Sequence, residues 1–312
     1  MAWSQDRVAR LLEEFVPCAD EVWRLQRGKG CESDVFRSFA EDGHYANRRG
    51  KSGTRQGIFV VTPKGDLLVS WNSRRPEVVE RNLRAALREW KGLRRRERLP
   101  EEDLFEGVER PEDLFPKGGL ALRVFSRDLP RPKGAELPDD WRARAWNIDH
   151  FWLTQAEAKN LAEGRLPRGA AVRLARLHAR DNVRGQTNPF PEEAVRSADL
   201  RARVVSRRGR RVELALSGEV HAEESGRWRI DDRAPETEQT RSFEGAFHGS
   251  AIWDGERFTA FELALAGTRV GGTRYNERKD DLGPAPLGVV LELAPEDDRV
   301  APSLLWVYGW SR

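Results

Sequence analysis

Two cysteines, Cys18 and Cys31, are the chain's thiols, and a thiolate needs little more than a polar, positive setting to act as a nucleophile. Arg24, Arg27 and Lys29 lie near both in sequence. Cys31, and Cys18 after it, are therefore the candidate catalytic residues for single-cysteine redox chemistry. Their spacing matches neither a metal motif nor a redox pair, and Cys18 also stands where a small apolar strand residue would serve. The five histidines, His44, His150, His178, His221 and His248, are scattered, and none has a partner at the spacing typical of zinc sites. Asp149 with His150, His178 with Asp181, and His248 near Asp254 would shuttle protons or hold a metal only if folding gathered them. From spacing alone no metal site is expected.

Groups able to hydrogen-bond a ligand concentrate between Arg173 and Phe190 (RLARLHARDNVRGQTNPF), where His178, Asp181, Asn182 and Arg184 stand out. The same density also lets a long loop satisfy its own backbone. A second polar loop, Ala266 to Gly288, offers Arg274 and Tyr275 to line a mouth above a sheet. It carries no Gly-x-Gly-x-x-Gly and no Walker lysine pattern, so no nucleotide or other cofactor is expected. His248 lies in the strand pattern EGAFHGSAIW, on the face opposite Phe247, Ala251 and Trp253. It looks outward if those three fill a core, and into a pocket if the sheet wraps a cavity. His178, Asp181, Asn182, Arg184, His248, Arg274 and Tyr275 make up the candidate binding set. No Gly-x-Ser-x-Gly, His-Glu-x-x-His or EF-hand spacing occurs.

These residues depend on elements that the patterning predicts. Val8, Leu11, Leu12 and Phe15 share a helical face, with Ser4 or Asp6 as cap, and Phe15 to Leu25 (FVPCADEVWRL) reads as a strand whose Pro17 suits an edge or a start. Ser33 caps a short helix carrying Val35, Phe36 and Phe39, and Asn47 to Gly53 reads as loop. Ile58 to Val61 is apolar on both faces and Leu67 to Trp71 follows a Pro-Lys-Gly-Asp turn. The next helix begins at Ser73 or Pro76 and aligns Val78, Val79, Leu83, Ala86, Leu87 and Trp90.

This order of helix, FVPCAD strand, helix, IFVVTPKGDLLVS hairpin and closing helix resembles the later elements of the thioredoxin-like superfamily over about a third of the chain. The resemblance implies an α/β domain of that fold. It departs from the family in lacking the Cys-x-x-Cys motif, and at Thr54 to Gly57, where the family has its cis-proline, no proline stands. Thiol-disulfide catalysis by a cysteine pair is therefore not implied, and the missing strands would have to come from elsewhere, for instance Leu120 to Phe125.

Leu93 to Pro116 is charged and proline-containing, a connector. Thr154 and Glu157 have capping-box spacing ahead of a helix to Ala162, and a helical pattern returns around Glu192 to Val195. Beyond Asp199 the period becomes two, with strands at Leu200 to Val205, Arg211 to Val220, Gly245 to Trp253, Glu256 to Ala266, Gly288 to Leu293 and Ser303 to Tyr308, and Asp254-Gly255 as a hairpin signal. ELALSG at Glu213 to Gly218 echoes ELALAG at Glu262 to Gly267 without establishing a repeat.

The fold class read from this is α+β: a truncated thioredoxin-like α/β domain at 1–98, a connector with one strand at 99–140, and a larger antiparallel β-sheet or half-barrel domain with short helices at 141–312. Basic residues number 54 against 51 acidic ones, mixed along the chain, so nucleic acid is not an expected partner. The scarcity of lysine and methionine resembles the codon bias of a GC-rich, bacterial type of genome as much as a physical demand. No run approaches the roughly 20 apolar residues of a membrane span, and a cytoplasmic location follows for the chain as written, with export only if the true start lies upstream. The first functional expectation is a non-catalytic thioredoxin-like protein whose β-rich domain binds a small-molecule ligand or a protein partner. Single-cysteine thiol chemistry at Cys31 and a metal-dependent hydrolase are the alternatives.

Overall fold

The computed structural model describes residues 3, 5–20, 22–28, 30–46, 54–98, 111–137, 139–296, 298 and 300–310. The expected cap at Ser4, the loop Asn47 to Gly53 and residues 99–110 of the connector lie outside that set. The chain divides into two compact units, Met1–Arg110 and Pro111–Arg312. About 30% of the chain is helical and 35% is strand, an α+β composition.

In the first unit α1 (Asp6–Leu12), α2 (Val22–Arg27) and α3 (Cys31–Asp42) precede a hairpin of β1 (Ile58–Val61) and β2 (Leu67–Trp71), followed by α4 (Pro76–Gly92) and α5 (Arg95–Arg98). The doubly apolar IFVV run is explained by cover on both faces. Ile58 and Val60 join Val8, Trp71, Val79 and Leu83 in one cluster, whereas Phe59 meets the rings of Phe36 and Phe39 at 5.9 and 5.3 Å. The Thr62 hydroxyl accepts from the Lys64 and Asp66 amides at 3.2 Å, and Gly65 supplies the positive φ of 86° that closes the turn. Pro76 occupies the first turn of α4, where its missing N–H costs nothing.

The expected strand at Phe15 to Leu25 does not form: residues 16–20 are irregular and α2 follows. Pro17 removes a ladder donor, and Val16 is 89% exposed, so the segment has no buried face to repay pairing. Among the described residues this unit therefore has a two-stranded sheet.

The second unit is built on seven antiparallel strands in the order β4-β3-β9-β8-β7-β6-β5. They are β3 (Leu120–Asp128), β4 (Trp146–Leu153), β5 (Val195–Arg208), β6 (Arg211–Trp228), β7 (Thr237–Trp253), β8 (Phe258–Val270) and β9 (Ala285–Leu293). A short helix, α6 (Trp141–Arg144), precedes β4, and α7 (Gln155–Ala162) and α8 (Arg168–His178) lie between β4 and β5. Leu161, Leu174 and Leu177 from the helices and Leu122, Leu214, Phe247, Leu263 and Leu291 from alternate strand positions form one core. Each such side chain contributes about 1.5–3 kcal/mol by leaving water.

Leu120 to Phe125, read as a connector strand able to complete the first domain, instead lies inside this sheet between β4 and β9. Ser303 to Tyr308 is a 3-10 turn at Leu305–Tyr308 and not a strand, because its Tyr308 hydroxyl plugs the sheet edge by accepting from the Trp152 amide at 3.1 Å. Asp149 accepts from the His150 amide at 2.7 Å, so side chains occupy two amides of the β4 edge. At the other edge, Leu166 donates to Leu200 and Ala202 donates to Gly164. Arg173 to His178, expected in a loop, belongs to α8, and β4 carries no visible strand pattern, since Asn147, Asp149 and His150 break the apolar alternation.

Candidate functional site

A cleft of about 260 Å³ opens at one end of the seven-stranded sheet. Four chain segments meet there: the approach to β3, the first turn of α7, the β7–β8 hairpin and the residues just past β9. Phe115, Leu120, Ala121, Ala158, Trp253, Phe258 and Leu293 give it an apolar body, and Gln155, Glu256, Arg257, Thr259 and Glu296 a polar mouth.

Local sequence fixes each wall. At the hairpin, Asp254 Oδ1 accepts from the amides of Glu256 and Arg257 at 2.8 and 2.9 Å, and these bonds hold its carboxyl below the usual range. Gly255 takes a φ of +103°, which completes the tight return and brings Trp253 edge-on to Phe258 at 5.0 Å. On the opposite wall, a Cβ on Gly119 would stand 2.7 Å from the Leu153 carbonyl, so glycine lets β3 start close against β4. Thr154 caps α7 by accepting from the Glu157 amide at 3.2 Å while Glu157 accepts from the Thr154 amide at 2.9 Å, which presents Gln155 at the mouth. Across that mouth Arg257 pairs with Glu296 at 2.9 Å. The site can take an amphiphilic small molecule, with apolar atoms against Trp253 and Phe258 and polar atoms toward Gln155, Thr259 and Arg257.

The residues singled out by sequence lie elsewhere. Asp181 and Arg184 do come together, in a buried ionic lattice. Arg278 donates to Asp181 at 2.6 Å and to Asp128 at 2.7 Å, Arg184 donates to Asp128 at 2.8 Å, and Arg131 grips Asp281 at 2.9 and 2.7 Å. Arg269 adds a 2.6 Å ion pair to Asp281. Burial opposes the charge of Arg278, yet Asp181 and Asp128 outweigh it and its pKa is raised. Burial would likewise raise Asp281, but Arg131, Arg269 and Arg278 hold it down to about 2. The lattice ties the loop after α8 and the loop before β9 to the end of β3. Asn182 lies beside it, accepting from the Ser126 hydroxyl at 3.3 Å.

His178 is buried near His150, its ring edge-on to Phe151 at 5.5 Å, and burial first of all lowers its pKa to about 4. Asp149 accepts from the Ser303 amide and hydroxyl at 2.9 and 2.7 Å, and His150 Nε2 stands 3.3 Å from Asp298, close but not aligned for a hydrogen bond. Among the described residues no three His, Cys, Asp or Glu side chains gather to hold a metal. His248 is exposed while Phe247 and Ala251 are buried, so it takes the outward of its two expected orientations. Arg274 and Tyr275 are also exposed, the guanidinium lying over the ring at 4.8 Å and pairing with Asp232. Cys18 is exposed in the irregular 16–20 stretch, and Cys31, half-buried, opens α3.

The Asp-Gly turn and the Thr154/Glu157 capping box were the legible signals for the cleft walls. Phe115, Gln155 and Leu293 belong to segments whose sequences mark no site. Compared with family models, curated proteins and solved structures, the chain matches none.

Proposed function

We propose that this chain is a non-catalytic, thioredoxin-like protein whose β-rich unit binds a small amphiphilic ligand. The cleft between the start of β3 and the β7–β8 hairpin carries this reading: it is an apolar recess with a polar mouth, built on capped and hydrogen-bonded segments that fix its walls before any ligand arrives. The hairpin β1–β2 followed by α4, with α3 ahead of it, supports the thioredoxin-like part.

The test uses 8-anilino-1-naphthalenesulfonate, an amphiphilic reporter, titrated against the full chain. Saturable one-site fluorescence enhancement is expected, weakened about tenfold by Gln155→Trp or Thr259→Trp, which fill the mouth from exposed positions. Enhancement that neither substitution alters sinks the proposal. A second reading, thiol chemistry at Cys31, draws on its place as the first residue of α3 and its partial exposure. Mixed-disulfide formation with glutathione that is lost in Cys31→Ser and kept in Cys18→Ser would favour it.

A further inference from the structure

The face of the seven-stranded sheet turned away from α7 and α8 carries an apolar strip. Register aligns Ile148, Phe125, Val290, Ala264 and His248 side by side on β4, β3, β9, β8 and β7. Ile148 is 47% exposed and Val290 45%, and Trp146, 60% exposed, adds its ring 6.2 Å from that of Phe125. From Ile148 to Ala264 the strip crosses four strands, about 14 Å at the usual strand spacing. Beside it the next row runs from Trp146 and the exposed Arg127 through Gly288, which lies under the Leu129 side chain, to Ala266 and Ala246. A sheet face meant only for water would alternate these positions to polar residues, and contiguous exposed apolar surface marks a docking site.

Charge identifies the occupant. Glu292 and Glu262 stand directly opposite each other along one side of the strip, and Glu219 continues the row floored by Ala246 on the other. None of these three carboxylates has an ion pair among the described residues, although the chain as a whole has more cations than anions. Arg123, the nearest cross-strand cation to Glu292, is engaged with Asp298. Opposed glutamates on neighbouring strands repel and weaken the sheet. Against these three carboxylates the two rows set one exposed cation on β3, Arg127, so the flanks of the strip are acidic on balance.

We propose that this outer face docks a cationic amphipathic helix of another protein, with apolar residues on the strip and lysines or arginines against Glu262, Glu292 and Glu219. A 14 Å strip matches between two and three turns of helix, which is the reach of apolar anchors at i, i+4 and i+7. A second copy of this chain would bring the same acidic flanks and be repelled, as would an anionic lipid surface.

A fluorescein-labelled helical peptide of leucine and lysine, roughly 14 residues long, tests this by anisotropy with the full chain. Saturable binding is expected that weakens when salt is raised to roughly 0.3 M and is absent for the leucine–glutamate counterpart. Glu262→Gln with Glu292→Gln should lower affinity about tenfold, and Ile148→Ser with Val290→Ser should do so as well. The paired glutamine variant should also melt no lower than the parent, since it relieves a repulsion, which separates docking from a fold requirement. Glu256→Gln with Glu296→Gln, at the cleft mouth, serves as control and should leave affinity unchanged. Binding equally sensitive to the control, insensitive to both face variants, or equal for the acidic peptide overturns the proposal. So does a doubling of mass in solution that Ile148→Ser abolishes, because a second copy then owns the face.

Discussion

His178 lies against the Phe151 ring, and its surroundings argue against carrying a proton. It is 3% exposed, and its Nε2 has no hydrogen-bond partner. Burial lowers its pKa to about 4; Asp149 pulls the other way, and the Arg180 guanidinium and His150 add to the lowering. Arg180, pushed down to about 10 by its own burial, still carries charge at neutral pH. The sign follows from proton counting: between pH 6.5 and about 4 the unfolded chain binds the proton that the folded chain refuses, so stability falls as pH falls through that window. The loss amounts to about 3 kcal/mol for a shift of this size. His178→Asn keeps a polar side chain at the site and removes the titration. Its urea-unfolding midpoint should therefore vary less than the parent's across the window. Asp281, depressed to about 2 from an ordinary 3.8, adds a separate window of stability lost below pH 3.8.

At the scale of elements, α7 ties the cleft to sequence. Its capping box was legible as Thr154 and Glu157, and both reciprocal bonds form. Thr154→Ala should cost about 1 kcal/mol, read as a lowered thermal midpoint, and should loosen Gln155 enough to weaken the naphthalenesulfonate reporter. The IFVV hairpin, α4 and the Asp254-Gly255 return were equally legible, because each is specified by neighbours within a few residues. Elements specified from afar were not. The β4 run WNIDHFWL hides its period behind polar residues that seal an edge, with Asp149 reaching Ser303 and Trp152 reaching Tyr308. Arg173 looked like loop polarity, yet it lies buried against Glu157 at 2.9 Å and beneath the Tyr308 ring at 4.6 Å. The cleft shares this difficulty: the α7 cap and the Asp254-Gly255 return were legible as local turns, but only sheet register brings the four segments together as walls.

For the whole molecule, the decisive feature among the described residues is that each unit has an apolar core of its own. One joins Val8, Trp71, Val79 and Leu83 in Met1–Arg110, and the other spans the seven strands with α7 and α8 in Pro111–Arg312. Cooperativity follows shared core, so units with cores of their own unfold as separate transitions. The smaller unit buries a smaller fraction of its surface and has less to offset chain entropy, and it should melt first. Calorimetry of the full chain is expected to show two endotherms. Leu83→Ala, deleting a side chain that is 3% exposed, should lower only the first, whereas Leu265→Ala, at 2%, should lower only the second. Each substitution costs about 2–5 kcal/mol, depending on how far its site collapses around the cavity. The reporter dye belongs to the second unit, so its binding should survive through the first endotherm and vanish with the second. A single endotherm that both substitutions shift together would mean that one cooperative core runs through the molecule, and the two-unit account would fall with it.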